Sequence, residues 1–145
     1  MKRILLTVFL MSLLFTRTVL AVEISFWITE TQSDRIKTIR LILDVFEAIN
    51  EDIKVKLVPV EENDLAKKIK IATDSGKLPD IIEMGSEVAI AYGSNGLMDI
   101  QGNAQIINEI GKSKFFKGAL QLTATPNRNG YYAIPYHAWI QGIWY

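Results

Sequence analysis

Residues 22–49 read V-E-I-S-F-W-I-T-E-T-Q-S-D-R-I-K-T-I-R-L-I-L-D-V-F-E-A-I, and their pattern is the strongest indication of the fold class. Glu23 to Ile28 is short, apolar and β-prone, which predicts a strand buried on both faces. Beyond it, apolar residues recur at three- and four-residue spacing with charged residues opposite them, which predicts an amphipathic helix capped by Thr31 or Ser33. The apolar positions are Ile36, Ile39, Leu43 and Phe46, flanked by Ile42 and Ile49.

The rest of the chain continues this alternation of strands and helices. Lys54 to Val60 alternates as a strand does, acidic residues from Glu61 onward open a second helix that Gly76 ends, and Asp80 to Met84 forms a third strand. The remaining predicted elements are a short helix at 87–92, one or two helices within 106–120 broken near Gly111, and a fourth strand at 131–136. Repeated βαβ units predict an α/β fold with a parallel sheet and helices on both faces.

The first 21 residues read as a signal peptide. Lys2 and Arg3 form a positive segment, Ile4 to Phe15 is apolar, and Val19-Leu20-Ala21 suits cleavage by signal peptidase. The apolar run ends well short of the roughly 20 residues that a membrane-spanning helix needs, which favours a signal peptide over an anchor. The sequence therefore predicts that residues 1–21 are removed and that 22–145 form one domain.

Charge and cysteine content narrow the function. Cleavage after Ala21 would take three bases and no acid from a chain with 16 of each, leaving a mildly acidic protein. This argues against nucleic acid or an anionic membrane surface as a partner. Because the chain has no cysteine, it has no disulfide scaffold, thiolate metal site or N-terminal lipid anchor. We expect a soluble periplasmic protein that is not a lipoprotein.

Four motifs carry a resemblance to a known family. They are I-S-F-W-I-T-E-T at 24–31, L-P-D-I-I at 78–82, G-L-M-D-I at 96–100 and Y-A-I-P-Y at 132–136. In order and spacing they resemble extracellular solute-binding proteins, family 1, which deliver sugars and related solutes to ABC transporters. The resemblance implies the N-terminal lobe of a two-lobed, type II periplasmic-binding-protein-like fold, truncated at a first interlobe strand at 141–145. It also implies a small solute of the carbohydrate class and the transporter's membrane subunits as partners.

Ligands of parallel α/β sheets bind beyond the carboxyl ends of the strands, which selects three loops. The first holds Thr29, Glu30, Thr31 and Gln32, whose polar side chains could bind a sugar. The alternative is that Thr31 only caps the helix and Glu30 is solvated. The second holds Gly85, Ser86 and Glu87. There a ligand role competes with Ser86 as N-cap and Glu87 as partner of the helix dipole.

The third loop is His137-Ala138-Trp139, where the indole of Trp139 could stack on a pyranose ring and His137 is the weaker candidate. Trp27 and Tyr136 lie within predicted strands, where core packing competes with ligand stacking. Asp80 is predicted to be structural, accepting backbone N–H bonds at a turn.

Motifs for catalysis are missing from the sequence. It has no G-x-S-x-G, no H-E-x-x-H, no phosphate-binding glycine loop and one histidine, so we expect no enzyme, metal or cofactor. Two alternatives stay open. A periplasmic carbohydrate-active hydrolase would need two facing acids, one with a raised pKa. A truncated fragment that binds no solute would lack the second lobe over which a hinge closes.

Overall fold

A computed structural model describes residues 21–136 of the chain, in two compact units that meet in sequence between Glu83 and Met84. The predicted signal peptide, the Trp139 loop and the predicted interlobe strand at 141–145 lie outside the described residues, apart from Ala21. Within the described range, no helix combines the length and apolar character that crossing a membrane requires.

The first unit alternates strands with helices, as predicted. In chain order it contains strand β1 (Val22–Ile28), helix α1 (Ser33–Ile49), strand β2 (Ile53–Pro59), helix α2 (Glu62–Asp74) and strand β3 (Ile81–Ile82). Each strand begins within two residues of its predicted start, although β3 is much shorter than predicted.

The three strands form a parallel sheet in the order β2-β1-β3. β1 pairs with β2 from Val22 opposite Ile53 to Ile28 opposite Pro59, and with β3 where Trp27 lies opposite Ile82. The connection from β1 to β2 and that from β2 to β3 run in opposite directions across the sheet. Right-handed crossovers therefore place α1 and α2 on opposite faces, which agrees with the predicted α/β class.

The core of this unit lies between the sheet and α2. Ile28 at the end of β1 is buried, as are Val55 and Val60. Helix α2 contributes three buried side chains at i, i+4 and i+7 spacing, which lie on one face of a helix: Leu65, Ile69 and Ala72.

Helix α1 departs from its predicted packing. None of its side chains is fully buried; Ile36, Ile39 and Leu43 are half-buried. Ile42, Phe46 and Ile49, which belonged to the predicted apolar face or its flanks, are 63%, 38% and 77% exposed. The predicted cap is also wrong, because the N-cap is Gln32 and its side chain makes no capping hydrogen bond.

Two charged side chains attach α1 to the outer edge of β2. Glu47 Oε1 accepts the Val55 N–H at 2.9 Å, and Arg40 Nη1 donates to the Val55 carbonyl at 2.8 Å. Arg40 also donates to Glu47, and Lys54 lies 3.3 Å from the second Glu47 oxygen. Both backbone groups of this edge residue are thus satisfied by side chains, which blunts the edge against pairing with another strand. Hydrogen bonds lower the pKa of Glu47 to about 2, and the bond from the Val55 N–H has the largest effect, followed by the bond from Arg40.

The lowered pKa of Glu47 predicts acid sensitivity. Because the folded-state pKa lies below the ordinary value of 4.5, the stabilisation is complete above about pH 4.5 and is lost as the pH falls toward about 2. We expect Glu47→Gln to lower the free energy of unfolding at neutral pH, whereas near pH 2 the variant and the wild type should have the same free energy of unfolding. Urea unfolding over this pH range measures both proteins. The exposed Glu51→Gln is the control. A penalty that does not change with pH would contradict the assignment.

The second unit is mostly helical. It contains helix α3 (Ser86–Ser94), helix α4 (Ile100–Ile110), a single 3-10 turn (Lys112–Lys114) and helix α5 (Lys117–Thr123). The predicted break near Gly111 is confirmed, because Gly111 follows α4 with a φ of 98°.

The predicted fourth strand at 131–136 is wrong. Its first residue makes only an isolated antiparallel bridge, between Tyr131 and Ala124. The Tyr132 N–H then donates to the Thr123 carbonyl at the end of α5, and the Asn103 amide of α4 donates to the Tyr131 and Tyr132 carbonyls. Helical residues thus take up the backbone groups that a strand ladder would have used.

Close packing against Tyr132 requires a glycine in α3. The buried Gly93 lies against the Tyr132 ring, and a Cβ there would overlap the ring atoms. We expect Gly93→Ala to destabilise the protein by about 1–3 kcal/mol, the usual range for overpacking a core. Gly118, which has open space around it, is the matched control, where alanine should stabilise α5 by about 0.5–1 kcal/mol. Thermal unfolding of both variants checks the pair, and equal effects would contradict this packing.

Candidate functional site

The carboxyl ends of β1 and β3 are tied together. Thr29, the first residue after β1, donates its N–H to Glu83 Oε2 at 2.9 Å. Glu83 follows β3, and its own N–H donates to the Trp27 carbonyl at 2.8 Å. The loop after β1 and the Glu83 carboxylate therefore share the edge of the sheet where α/β folds bind ligands.

Glu30 organises the loop between β1 and α1. Its Oε1 accepts the N–H groups of Thr31 and Gln32, each at 3.1 Å, and its Oε2 lies 2.8 Å from Arg35 Nη1. The hydrogen bond from Arg35, followed by that from the Gln32 N–H, lowers the pKa of Glu30 below its ordinary value of 4.5. The side chain is 20% exposed, stays ionised at neutral pH and acts as an acceptor. A lowered pKa is the reverse of what a general acid needs.

In this loop, the side chains of Thr31 and Gln32 are polar groups that other described residues do not bind. Both residues are exposed. Their backbone N–H groups are taken by Glu30, whereas their side chains make no hydrogen bond to any described residue. A hydroxyl and a primary amide therefore lie in a loop whose backbone is held by Glu30.

Ser86 and Glu87 belong to the other unit, at the start of α3. The N-cap is Gly85, not Ser86 as predicted, since Ser86 is already the first helical residue. Gly85 is in an extended conformation with open space around its Cα. Glu87 lies exposed in the first turn, where it complements the helix dipole as predicted.

The aromatic candidates differ in placement. Trp27 is half-buried in the central strand, which agrees with a role in packing. Tyr136 is 68% exposed and is therefore not a core residue. Trp139 and His137 lie outside the described residues, so their proposed contact with a sugar stays a prediction.

The predicted structural role of Asp80 is confirmed. Its Oδ2 accepts the Ser25 N–H at 2.8 Å, and its own N–H donates to the Ser25 carbonyl at 3.1 Å. The bonded partner lies on β1 rather than within the turn that precedes β3. Asp80 therefore sets the register of β3 against the central strand.

Sequence reasoning missed Glu83. The predicted third strand extended to Met84 and so placed Glu83 inside it, whereas β3 ends at Ile82. An acid directly after an apolar pair at the end of a strand was the available signal, since such a carboxylate can reach the loop of the neighbouring strand.

Comparisons with known proteins agree with this architecture. A model of the bacterial extracellular solute-binding protein family matches residues 31–145. YcjN of Escherichia coli (strain K12), provisionally named an ABC transporter periplasmic-binding protein, is 33% identical over 124 residues, covering 86% of this chain and 29% of YcjN.

A solved structure shares the fold. The ABC substrate-binding protein Lmo0181 from Listeria monocytogenes, in complex with cycloalternan, superimposes with a TM-score of 0.63 and 22% identity over 74% of this chain and 27% of Lmo0181. The chain thus spans less than a third of the length of either protein.

The Glu30 ion pair predicts a measurable titration. We expect carboxyl-detected NMR to give a Glu30 pKa below 4.5, because Arg35 and two backbone N–H groups stabilise the ionised form. Arg35→Gln should move that pKa toward its ordinary value. Lys37→Gln removes an exposed charge two residues beyond Arg35, and it should leave the pKa of Glu30 unchanged. A Glu30 pKa that Arg35→Gln does not raise would show that the ion pair does not form in solution.

Proposed function

This chain belongs to the family of bacterial extracellular solute-binding proteins, and we propose that it supplies the N-terminal lobe of a receptor that binds a sugar or oligosaccharide. The receptor would present this solute to the membrane subunits of an ABC transporter without changing it chemically. Residues 1–21 would direct export, and the mature protein would work in the periplasm.

The loop after β1 is the observation that carries the proposal. Its exposed hydroxyl and amide, on Thr31 and Gln32, can donate to and accept from sugar hydroxyl groups. The cation nearest to them in sequence, Arg35, is engaged by Glu30 at 2.8 Å. A loop with hydrogen-bonding groups and a neutralised cation suits an uncharged polyol better than a phosphate or carboxylate.

Glu30 would take part chiefly by holding the loop. Three of its acceptor positions are used by Thr31, Gln32 and Arg35. An ionised carboxylate has about four such positions, which leaves Oε2 able to accept one hydroxyl from a solute. Thr29 would contribute its side chain, because its backbone N–H is bound to Glu83.

The other proposed contacts come from later segments. Open space around Gly85 would let backbone groups approach a solute, with Ser86 and Glu87 beside it. Trp139 would provide a stacking surface for a sugar ring. The cycloalternan bound to Lmo0181 supports an oligosaccharide as the solute class, and we extend that class to this chain only as a proposal.

Thermal unfolding of the exported protein tests the proposal. The full chain would be produced in a two-membrane bacterial host, where recovery of a periplasmic product with the mass of residues 22–145 would indicate cleavage after Ala21. Circular dichroism would then follow unfolding with millimolar mono- and oligosaccharides, including cycloalternan. A saccharide that binds the folded state raises the midpoint in proportion to the logarithm of its concentration over its dissociation constant.

Variants connect the shift to the proposed loops. We expect Thr31→Ala with Gln32→Ala to remove most of the saccharide-dependent shift, and Trp139→Ala to abolish it. Thr38→Ala is the control, because the Thr38 hydroxyl donates to the Asp34 carbonyl within α1. The proposal fails if no saccharide raises the midpoint, or if the loop variants respond as the control does.

A further inference from the structure

The second unit contains a cavity that the proposed solute site does not use. It has a volume of about 620 Å³ and lies between α5 and the turn that follows it. Lys117, Leu120 and Gln121 line it from α5 at i, i+3 and i+4 spacing, which brings them to one face of the helix. Arg128 and Tyr131 line it from the turn. The cavity is open to solvent, with Lys117, Gln121 and Arg128 exposed along it, and its volume is comparable with the about 300–1,000 Å³ of small-molecule sites.

Hydrogen bonds hold the turn that forms one wall. The Thr125 N–H donates to the Gly130 carbonyl at 3.0 Å, and the Arg128 N–H donates to the Thr125 carbonyl at 2.8 Å. The buried Thr125 hydroxyl, at 3.2 Å, accepts the Gly130 N–H. The turn is therefore an ordered support for the side chains that face the cavity.

Arg128 occupies an uncommon conformation within this turn. Its φ is 57°, the left-handed region that a residue with a Cβ rarely adopts, and it is the one non-glycine residue with positive φ among residues 21–136. Glycine would take this position without strain, and yet the chain carries arginine. Strained positions of this kind cluster at ligand sites, where the contacts of the side chain compensate for the strain of the backbone.

The charged side chains that line the cavity, Lys117 and Arg128, are both cations. They lie in a segment without acidic residues, since the sequence has no Asp or Glu after Glu109. None of the ion pairs between described residues includes either of them. Lys112 adds positive charge at the Tyr131 ring, with its Nζ 5.9 Å from the ring centroid.

From this arrangement we propose that the cavity binds the anionic group of a small organic molecule, a phosphate or a carboxylate. The Arg128 guanidinium can meet two oxygens of such a group in its planar fork, and the Lys117 ammonium adds a point charge. Gln121 and the Tyr131 hydroxyl can bond the neutral part of the molecule, and Leu120 gives it an apolar surface. This chemistry differs from that of the loop after β1, where Arg35 is neutralised.

Titration of the full chain tests the proposal. Inorganic phosphate, galacturonate and uncharged galactose would be added to ¹⁵N-labelled protein at constant ionic strength, while the amide signals of residues 120–131 are followed. We expect saturable shifts centred on Arg128 and Tyr131 with at least one anion and none with galactose. Saturation by phosphate alone would assign the site to phosphate groups, and saturation by galacturonate would assign it to carboxylates.

Three variants separate a built site from general attraction. Arg128→Gly removes the guanidinium while allowing the same backbone conformation, so it should fold and raise the dissociation constant about tenfold or more, since charge-assisted hydrogen bonds are the strong ones. Lys117→Gln should weaken binding in the same direction. Lys114→Gln removes an equal charge that does not line the cavity, and it should leave binding within about twofold. Non-saturating shifts, equal shifts with galactose, or equal losses in all three variants would overturn the proposal.

Discussion

The candidate solute site depends on the central position of β1 in a parallel sheet. Because β1 pairs with β2 and β3 in the same direction, the carboxyl ends of all three strands reach one edge. That geometry brings Glu83, more than fifty residues away in sequence, to the N–H of Thr29. An antiparallel neighbour would have placed its amino end there instead, and the Glu83 carboxylate would not lie beside the loop after β1.

Pairs of charged side chains stabilise the structure around this sheet in two places. Arg40 and Glu47 close the outer edge of β2, while Arg35 and Glu30 hold the loop after β1. Both glutamates have a lowered pKa for the same reason, an arginine together with backbone N–H donors. Apart from one acceptor position of Glu30, these charges are used in structural contacts, which leaves the neutral side chains of the loop for the proposed solute. Lys117 and Arg128, which line the cavity beside α5, form no ion pair with another described residue, and we infer a different ligand class there.

Much of the fold could be predicted from hydrophobic period alone. β1 and β2 begin within one residue of their predicted starts, and Gly76 follows the end of α2 as predicted, with a φ of 65°. One wrong prediction depends on groups that lie elsewhere in the fold. Residues 131–136 have the composition of a strand, but Thr123 and Asn103 take the backbone groups of Tyr131 and Tyr132. Thr31 and Ser33 are good capping residues, but the N-cap is Gln32, whose side chain makes no capping hydrogen bond.

The α/β class, the order of strands and helices in the first unit, and the family follow from the sequence, because periodicity and short motifs are local properties of the chain. The folded structure was needed to show that Glu83 joins the loop after β1, that α1 is held by Arg40 and Glu47 as well as by apolar contacts, and that Arg128 faces a cavity with Lys117. Each of these depends on which distant groups the folded backbone brings within hydrogen-bonding or charge-interaction range. A residue's type shows what it can bind, whereas its neighbours in the fold decide which of those bonds it makes.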